Sequence, residues 1–159
     1  FTNDSRLLLV VSRGFDWTMK YGWCKASGVF FATIGLIITG VFDDLKTGAK
    51  YGESALKLVD LADAKSLKPR VAGLVIGMLF GWTKLYSKLF KALVECYDLG
   101  MKLGATDGGL HCIAMYMLMK FFAGGPLEQI YDDYCMYQSQ YVKFNQEISF
   151  HYSCYSKQM

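Results

Sequence analysis

Histidine and cysteine are the residues of this chain best suited to hold a metal ion, and its 159 residues include only two histidines, His111 and His151. His111 is followed directly by Cys112. On a helix, adjacent side chains point about 100° apart and form a poor chelate. A structural zinc site also needs a second pair of ligands, and the sequence supplies none at a usual spacing. We therefore predict that His111 is a core or interface histidine.

Three sets of neighbouring carboxylates have the composition of an acid–base pair. They are Asp43 with Asp44, Asp132 with Asp133, and Glu128 with Asp132. Helix capping accounts for the first set, and favourable placement near the positive end of a helix accounts for the others. We predict no catalytic pair among them.

The glycine-rich stretch at residues 104–109 is the segment most similar to a phosphate-binding loop. It lacks the lysine of a GxxxxGK[ST] motif, and no predicted strand precedes it. A turn between two helices is the simpler interpretation. The sequence thus predicts no catalytic residue, no cofactor and no metal ligand.

The composition gives the broad context of the chain. Hydrophobic residues make up 53% and charged residues 19%, which favours a surface with permanent neighbours. The net charge of +3 is spread along the sequence without a basic block, so we expect no nucleic-acid partner. Five cysteines with no CxxC spacing favour a reducing, intracellular (cytoplasmic) location. Because the first residue is Phe1, we expect a segment of a larger protein.

Apolar residues recur at helical intervals, and no sustained alternation indicates a strand. A leading helix is predicted over residues 3–21, with Gly22 at its end and an apolar stripe along it. A second helix is predicted over residues 26–39, ended by Gly40 in a left-handed conformation. Asp43 is predicted to cap the third helix. The stripe of the leading helix consists of Leu7, Leu8, Val11, Phe15 and Met19.

Four more helices follow in the same way. Pro69, together with Ser66, is predicted to open the fourth helix, because a first-turn proline sacrifices no hydrogen bond. The predicted N-caps of the fifth and sixth helices are Ser87 and Thr106. Gly104 and Gly124 are predicted to end these two helices, and Pro126 to stand in the first turn of the seventh.

Two sets of side chains at helical spacing are predicted to lie mostly in the core. One is the methionine series on the sixth helix, and the other is a tyrosine stripe on the seventh. They comprise Met115, Met117 and Met119, and Tyr131, Tyr134, Tyr137 and Tyr141.

A repeat of about 40 residues emerges from this order, since the turn residues Gly40, Gly81 and Gly124 are 41 and 43 residues apart. Each unit pairs an apolar helix with an amphipathic one, which is typical of an α-solenoid. We predict an all-α, tetratricopeptide-like α-α superhelix of about seven helices. The alternative is an irregular helical bundle. The predicted units are a leading helix (1–24), three helix pairs within 25–144 (26–63, 67–103 and 107–144) and a tail (145–159).

A small integral membrane protein is the alternative for the whole chain, with spans near 26–42 and 71–82. A span needs about twenty apolar residues, and shorter apolar runs are more often buried core helices. The first of these two runs is borderline and the second is short. The other predicted helices are amphipathic, so we expect membrane insertion to be the weaker interpretation.

A series of glycine and aromatic positions runs through residues 19–141. It consists of Lys20-Tyr21-Gly22, Gly28, Gly35, Gly48-x-x-Tyr51-Gly52-x-x-Ala55-Leu56, Lys68-x-Arg70-Val71, Trp82, Tyr97-x-x-Gly100-x-x-x-Gly104 and Gly124-x-x-Leu127. This series resembles the tetratricopeptide-like helical region of large signalling proteins that join a serine/threonine kinase-like domain, an AAA-type (STAND-like) ATPase and histidine kinase domains. Two turns depart from that pattern: Trp82 is followed by Thr-Lys-Leu without a proline, and Gly104-Ala105-Thr106-Asp107 replaces a Gly-Asp step.

The resemblance implies a non-catalytic scaffold or regulatory module that contacts neighbouring domains or partner proteins. An enzyme with an unrecognised site is the third and weakest alternative. The residues singled out are structural positions and not catalytic ones. They are Gly22, Gly35, Gly40, Gly52, Gly100, Gly104, Gly124 and Trp82.

Overall fold

The computed structural model describes residues 5–144, and these residues form helices and turns only. The predicted tail, with His151, lies outside the described residues. The prediction of an all-α fold with about seven helices is confirmed. The helices are α1 (Ser5–Tyr21), α2 (Ser27–Phe42), α3 (Leu45–Leu61), α4 (Lys68–Leu74), α5 (Tyr86–Leu103), α6 (Thr106–Phe122) and α7 (Leu127–Lys143).

The helices pack in chain order, as a superhelix of helix pairs requires. After α1, the pairs are α2 with α3, α4 with α5, and α6 with α7. The first helices of the pairs are neighbours, because α4 contacts both α2 and α6. Each pair therefore rests on the one before it.

The core is continuous through the three pairs. Helix α6 is buried along most of its length, and its methionines Met115, Met117 and Met119 are at most 3% exposed. In α7, Tyr134 and Tyr141 are buried, whereas Tyr131 is 50% exposed. The tyrosine stripe is therefore only partly core. The largest fully buried side chains are Tyr134, Tyr141, Leu79, Leu93, Leu110, Ile113, Met117 and Ile130.

The predicted end of α2 at Gly40 is wrong, because α2 continues to Phe42. Asp43 takes the left-handed conformation instead, with φ 55°, and the N–H of Asp44 donates to the carbonyl of Ile38 at 3.4 Å. Asp43 is also not the cap of α3: the carboxylate of Asp44 accepts from the N–H of Thr47 at 3.0 Å. In the turn between α2 and α3, Asp43 therefore reverses the chain direction and Asp44 caps α3.

Two other predicted caps are wrong. Helix α5 begins at Tyr86, after the extended residue Leu85, and Ser87 lies inside it. Thr106 is the first residue of α6, and no side chain caps that helix. Gly22, Gly104 and Gly124 have φ values of 95°, 73° and 76° at the ends of α1, α5 and α6.

The predicted fourth helix is not a uniform α-helix. A 3-10 turn (Lys65–Leu67) precedes α4, and a π-helical segment (Val75–Leu79) and a second 3-10 turn (Phe80–Trp82) follow it. The run 71–82 therefore changes its helical geometry twice. Within residues 5–144, no helix combines the length and apolar character that crossing a membrane requires.

Candidate binding groove

An open apolar groove lies between α1 and the start of α2 and has a volume of about 590 Å³. Its walls are mainly apolar, with Arg13 and Thr18 as polar members and Gly14 and Ala26 as small ones. The large apolar lining residues are Val10, Trp17, Tyr21 and Phe30. A concave surface of this kind accepts side chains from a ligand.

One side of α1 is fixed to the rest of the fold. Val11 is buried, and the ring of Phe15 lies against the rings of Phe31 and Tyr51, with centroids 5.0 and 5.9 Å away. Gly14 packs on Phe30 so closely that a Cβ atom there would lie 2.5 Å from Phe30 Cζ. These contacts set the position of α1 and leave its outer side facing the groove.

The outer side of α1 exposes large apolar side chains that sequence analysis assigned to a packed stripe or did not single out. Trp17 is 64% exposed and Tyr21 74%, and Leu7, one turn before Val11 on the inner side, is also 50% exposed. Leu8 and Met19, predicted members of the stripe, are also exposed, so the predicted stripe is correct only for Val11 and Phe15. Large apolar side chains that are exposed side by side often mark an interaction site.

Cations border this apolar surface. Arg13 lines the groove, and Lys20 lies seven residues further along α1, which places both on one side about 10.5 Å apart along the axis. Asp16 lies further around α1 than Lys20 does, away from the apolar side. The groove therefore has a positively charged edge.

A small polar network forms one end of the groove. The hydroxyl of Ser27, which is completely buried, lies 2.9 Å from Thr18 Oγ1 and accepts a hydrogen bond from the N–H of Cys24 at 2.9 Å. It lies 3.6 Å from Cys24 Sγ and donates to it. Hydrogen bonds from Ser27 and from the Ala26 N–H lower the pKa of the Cys24 thiol below its usual value. Cys24 is exposed and lines the groove.

A second, shallower surface lies on α7, at the other end of the described chain. It consists of Leu127, Glu128, Tyr131 and Asp132, on the exposed side of the first two turns of α7. Leu127 and Tyr131 are 56% and 50% exposed. We call these four residues the α7 surface. Its apolar side chains have an acidic border, whereas the groove has a basic one.

Of the seven glycines predicted as structural positions, Gly35, Gly52 and Gly100 lie at helix contacts. A Cβ atom on Gly35 would lie 3.0 Å from the carbonyl oxygen of Gly48, and one on Gly52 would lie 2.9 Å from Val75 Cγ1. Gly40, by contrast, faces open space. Trp82 is 72% exposed and does not pack in the core.

His111 and Cys112 have different environments. Nε2 of His111 is enclosed and has no hydrogen-bond partner among residues 5–144. Burial lowers the pKa of His111, and the nearby Arg70 charge acts in the same direction, so the ring is neutral at pH 7. Cys112 Sγ lies 3.1 Å from the carbonyl oxygen of Pro69 and donates to it.

Asp132 and Asp133, one of the candidate acid pairs, also have different environments. Asp133 pairs with Lys120 at 2.7 Å, between α6 and α7, whereas Asp132 is exposed on the α7 surface. In the part of the chain that the structure describes, no three histidine, cysteine or acidic side chains converge as a metal site would require.

Sequence reasoning did not identify the groove. A signal was present, since Val10, Trp17 and Tyr21 share one side of α1 at helical spacing beside Arg13 and Lys20. That signal has two interpretations, because a packed stripe and an exposed one have the same spacing. Comparison with protein families, with curated proteins and with solved structures finds no match to this chain.

Proposed function

We propose that this chain is a non-catalytic helical-repeat scaffold that binds a protein partner through the groove on α1. The observation that carries the proposal is the outer side of α1, where Trp17 and Tyr21 are 64% and 74% exposed next to an open concavity. Tryptophan and tyrosine contribute a large share of the binding energy at protein interfaces. The fixed inner side of α1 supports this proposal, because a preorganised surface loses little entropy on binding.

The shape and charge of the groove favour an amphipathic helix as the bound element. Such a helix inserts apolar side chains from successive turns into a groove. Arg13 and Lys20, two turns apart, would attract acidic residues at its flank. We therefore expect an acidic flank to strengthen binding more than a neutral or basic one.

The wider context of the scaffold is part of the proposal. The resemblance to the helical region of kinase- and ATPase-containing signalling proteins is its only support. It predicts that the scaffold passes regulatory contacts between neighbouring domains. Sequencing the complete gene tests this context, because a phosphate-binding loop upstream or a histidine kinase motif downstream would support it.

Binding by the groove can be tested with three fluorescein-labelled helical peptides that share one apolar stripe and carry acidic, neutral or basic flanks. We expect the acidic peptide to raise the fluorescence anisotropy at the lowest protein concentration. Trp17→Ala should weaken that binding at least tenfold, since a buried aromatic anchor is a typical hot spot. Trp82→Ala is the matched control, because Trp82 is 72% exposed and does not line the groove.

Cysteine protection locates the bound peptide independently. The acidic peptide should slow the alkylation of Cys24, which lines the groove, and leave that of Cys135 on α7 unchanged. Equal loss of binding in Trp17→Ala and Trp82→Ala, or no binding by any of the three peptides, would contradict the proposal.

A further inference from the structure

We infer that copies of this chain associate head to tail, with the groove on α1 of one copy occupied by the α7 surface of the next. The inference rests on the proposed function, since it names a second copy as the protein that the groove binds. It starts from the presence of two exposed apolar surfaces on opposite ends of one helical array. Within residues 5–144, α1 is the first helix and α7 is the last, and each packs on the array through one side.

The first argument is the match in apolar character. On α7, Ile130, Tyr134 and Tyr141 face the core, and Leu127 and Tyr131 lie on the adjacent side, facing outward. These two side chains are one turn apart, the spacing at which a helix presents successive side chains to a groove. The groove offers Trp17, Tyr21 and Phe30 to receive them.

The second argument is opposite charge at the edges. Arg13 and Lys20 border the groove on α1, and Glu128 and Asp132 border the apolar side chains on α7. None of these four side chains belongs to an ion pair within residues 5–144. Of the residues of the other sign, Asp16 lies further around α1 from the apolar side than Lys20 does, and Lys143 lies about three turns beyond Asp132 along α7. The two surfaces are therefore complementary to each other and not to themselves.

The third argument is the geometry of a helical array. Stacked repeats bury their faces against the next repeat, so a terminal helix with an apolar outer side can accept another one. An interface between two different surfaces of one chain continues into open filaments or closes into rings. We therefore expect a series of oligomers and not a single symmetric dimer.

Analytical ultracentrifugation of the full chain tests this association at increasing protein concentration and at low and high salt. The wild type should form dimers and larger species, and high salt should weaken them because it screens the charged edges. Two variants remove one surface each with neutral side chains. The α1 variant is Arg13→Ser with Trp17→Ser, and the α7 variant is Leu127→Ser with Tyr131→Ser. The altered side chains are exposed or lie in the open groove, so circular dichroism should match the wild type.

The mixture of the two variants is the decisive measurement. Each variant alone should remain monomeric, but an equal mixture should form dimers and nothing larger, because only one intact interface can form. An α7 variant that associates as the wild type does would overturn the inference in favour of an α1–α1 contact. A wild type that stays monomeric while its groove still binds the acidic peptide would overturn the inference and leave the proposed function intact.

Binding of the groove to a lipid surface must be distinguished from binding to a second copy of the chain. Vesicles of phosphatidylcholine and phosphatidylserine provide the probe, because a basic and aromatic helix surface also suits an anionic membrane. We expect no co-sedimentation of the wild type. Co-sedimentation that the α1 variant loses, in a chain that does not self-associate, would assign the groove to lipid and overturn the inference.

Discussion

Gly100 of α5 and Gly109 of α6 touch through their backbones: a Cβ atom on Gly100 would lie 2.9 Å from Gly109 Cα. This contact allows the two helices to approach closely across the boundary between the second and third helix pairs. It has a counterpart between α2 and α3, where Gly35 meets the carbonyl of Gly48. Close helix contacts at glycine therefore recur along the array.

Gly100→Ala should destabilise the protein, because the new methyl group meets backbone atoms that cannot move without shifting a helix. We expect a loss of about 1–3 kcal/mol in the free energy of unfolding. Gly40→Ala is the matched control, since Gly40 lies inside α2 with open space around it, and it should gain about 0.5–1 kcal/mol. Urea unfolding measures both. A Gly100→Ala variant as stable as the wild type would contradict the close contact.

The two aspartates of the α2–α3 corner should respond in opposite ways to substitution. Asp43→Gly should raise the melting temperature, because glycine adopts the left-handed conformation at φ 55° without strain. Asp44→Ala should lower it, because the carboxylate that accepts from the Thr47 N–H is lost. Thermal unfolding followed by circular dichroism measures both. The opposite order would restore Asp43 as the cap.

The contribution of Asp44 to stability should be lost only when the pH falls below the ordinary pKa of an aspartate. Hydrogen bonds from Thr47 lower the pKa of the Asp44 carboxyl. Its stabilising effect is therefore fully present above the ordinary aspartate pKa of about 3.9 and is lost as the pH falls through the lowered value. The difference between the wild type and Asp44→Ala should stay constant from about pH 7 to pH 5 and close below about pH 4.

Lys120→Met should loosen the attachment of α7 to α6. Lys120 and Asp133 lie 2.7 Å apart with side chains 17% and 24% exposed, so the substitution leaves a partly buried carboxylate without its cation. We expect a loss of about 1 kcal/mol, measured by urea unfolding. Lys91→Met is the control, because Lys91 is 86% exposed and its ion pair with Glu95 is longer, at 3.8 Å. Equal effects of the two substitutions would contradict a structural role for the Lys120 pair.

The pH dependence of the Lys120 pair has the opposite sense from that of Asp44. Burial is the largest single influence on Lys120 and opposes its charge, but the hydrogen bonds and charges of Asp133 and Tyr116 together outweigh it and raise the pKa of Lys120. Its contribution is fully present below the ordinary lysine pKa of about 10.4 and is lost as the pH rises through the raised value. The difference between the wild type and Lys120→Met should therefore be the same at about pH 6 and pH 9.

Cys24 should react with iodoacetamide before the other described cysteines. It is exposed and its pKa is lowered, whereas burial raises the pKa of Cys96 and of Cys112. Ser27→Ala should slow the alkylation of Cys24 by a factor of roughly two to ten and leave the alkylation rate of Cys135 unchanged. Peptide mapping by mass spectrometry reads each rate separately. An unchanged Cys24 rate would mean that the Ser27 hydroxyl does not stabilise the thiolate.

Helix periodicity and turn chemistry made most of the array predictable from sequence. Apolar spacing placed seven helices, and glycine signals marked the ends of α1, α5 and α6, because these signals depend on local backbone geometry. The misplaced caps show the limit of that reasoning. Asp43 and Asp44 are equally good capping residues, and only the number of residues needed to leave α2 decides between them.

The groove was not predictable in the same way, because exposure is a property of neighbours. Val11 and Trp17 are both apolar residues of α1, yet one is 4% and the other 64% exposed. The difference arises because α2 covers one side of α1 only. The sequence by itself therefore determined the helices, their order and many of their ends, through local backbone preference and apolar period. Only the tertiary structure decided which apolar sides remain open, because that depends on how the helices pack against one another.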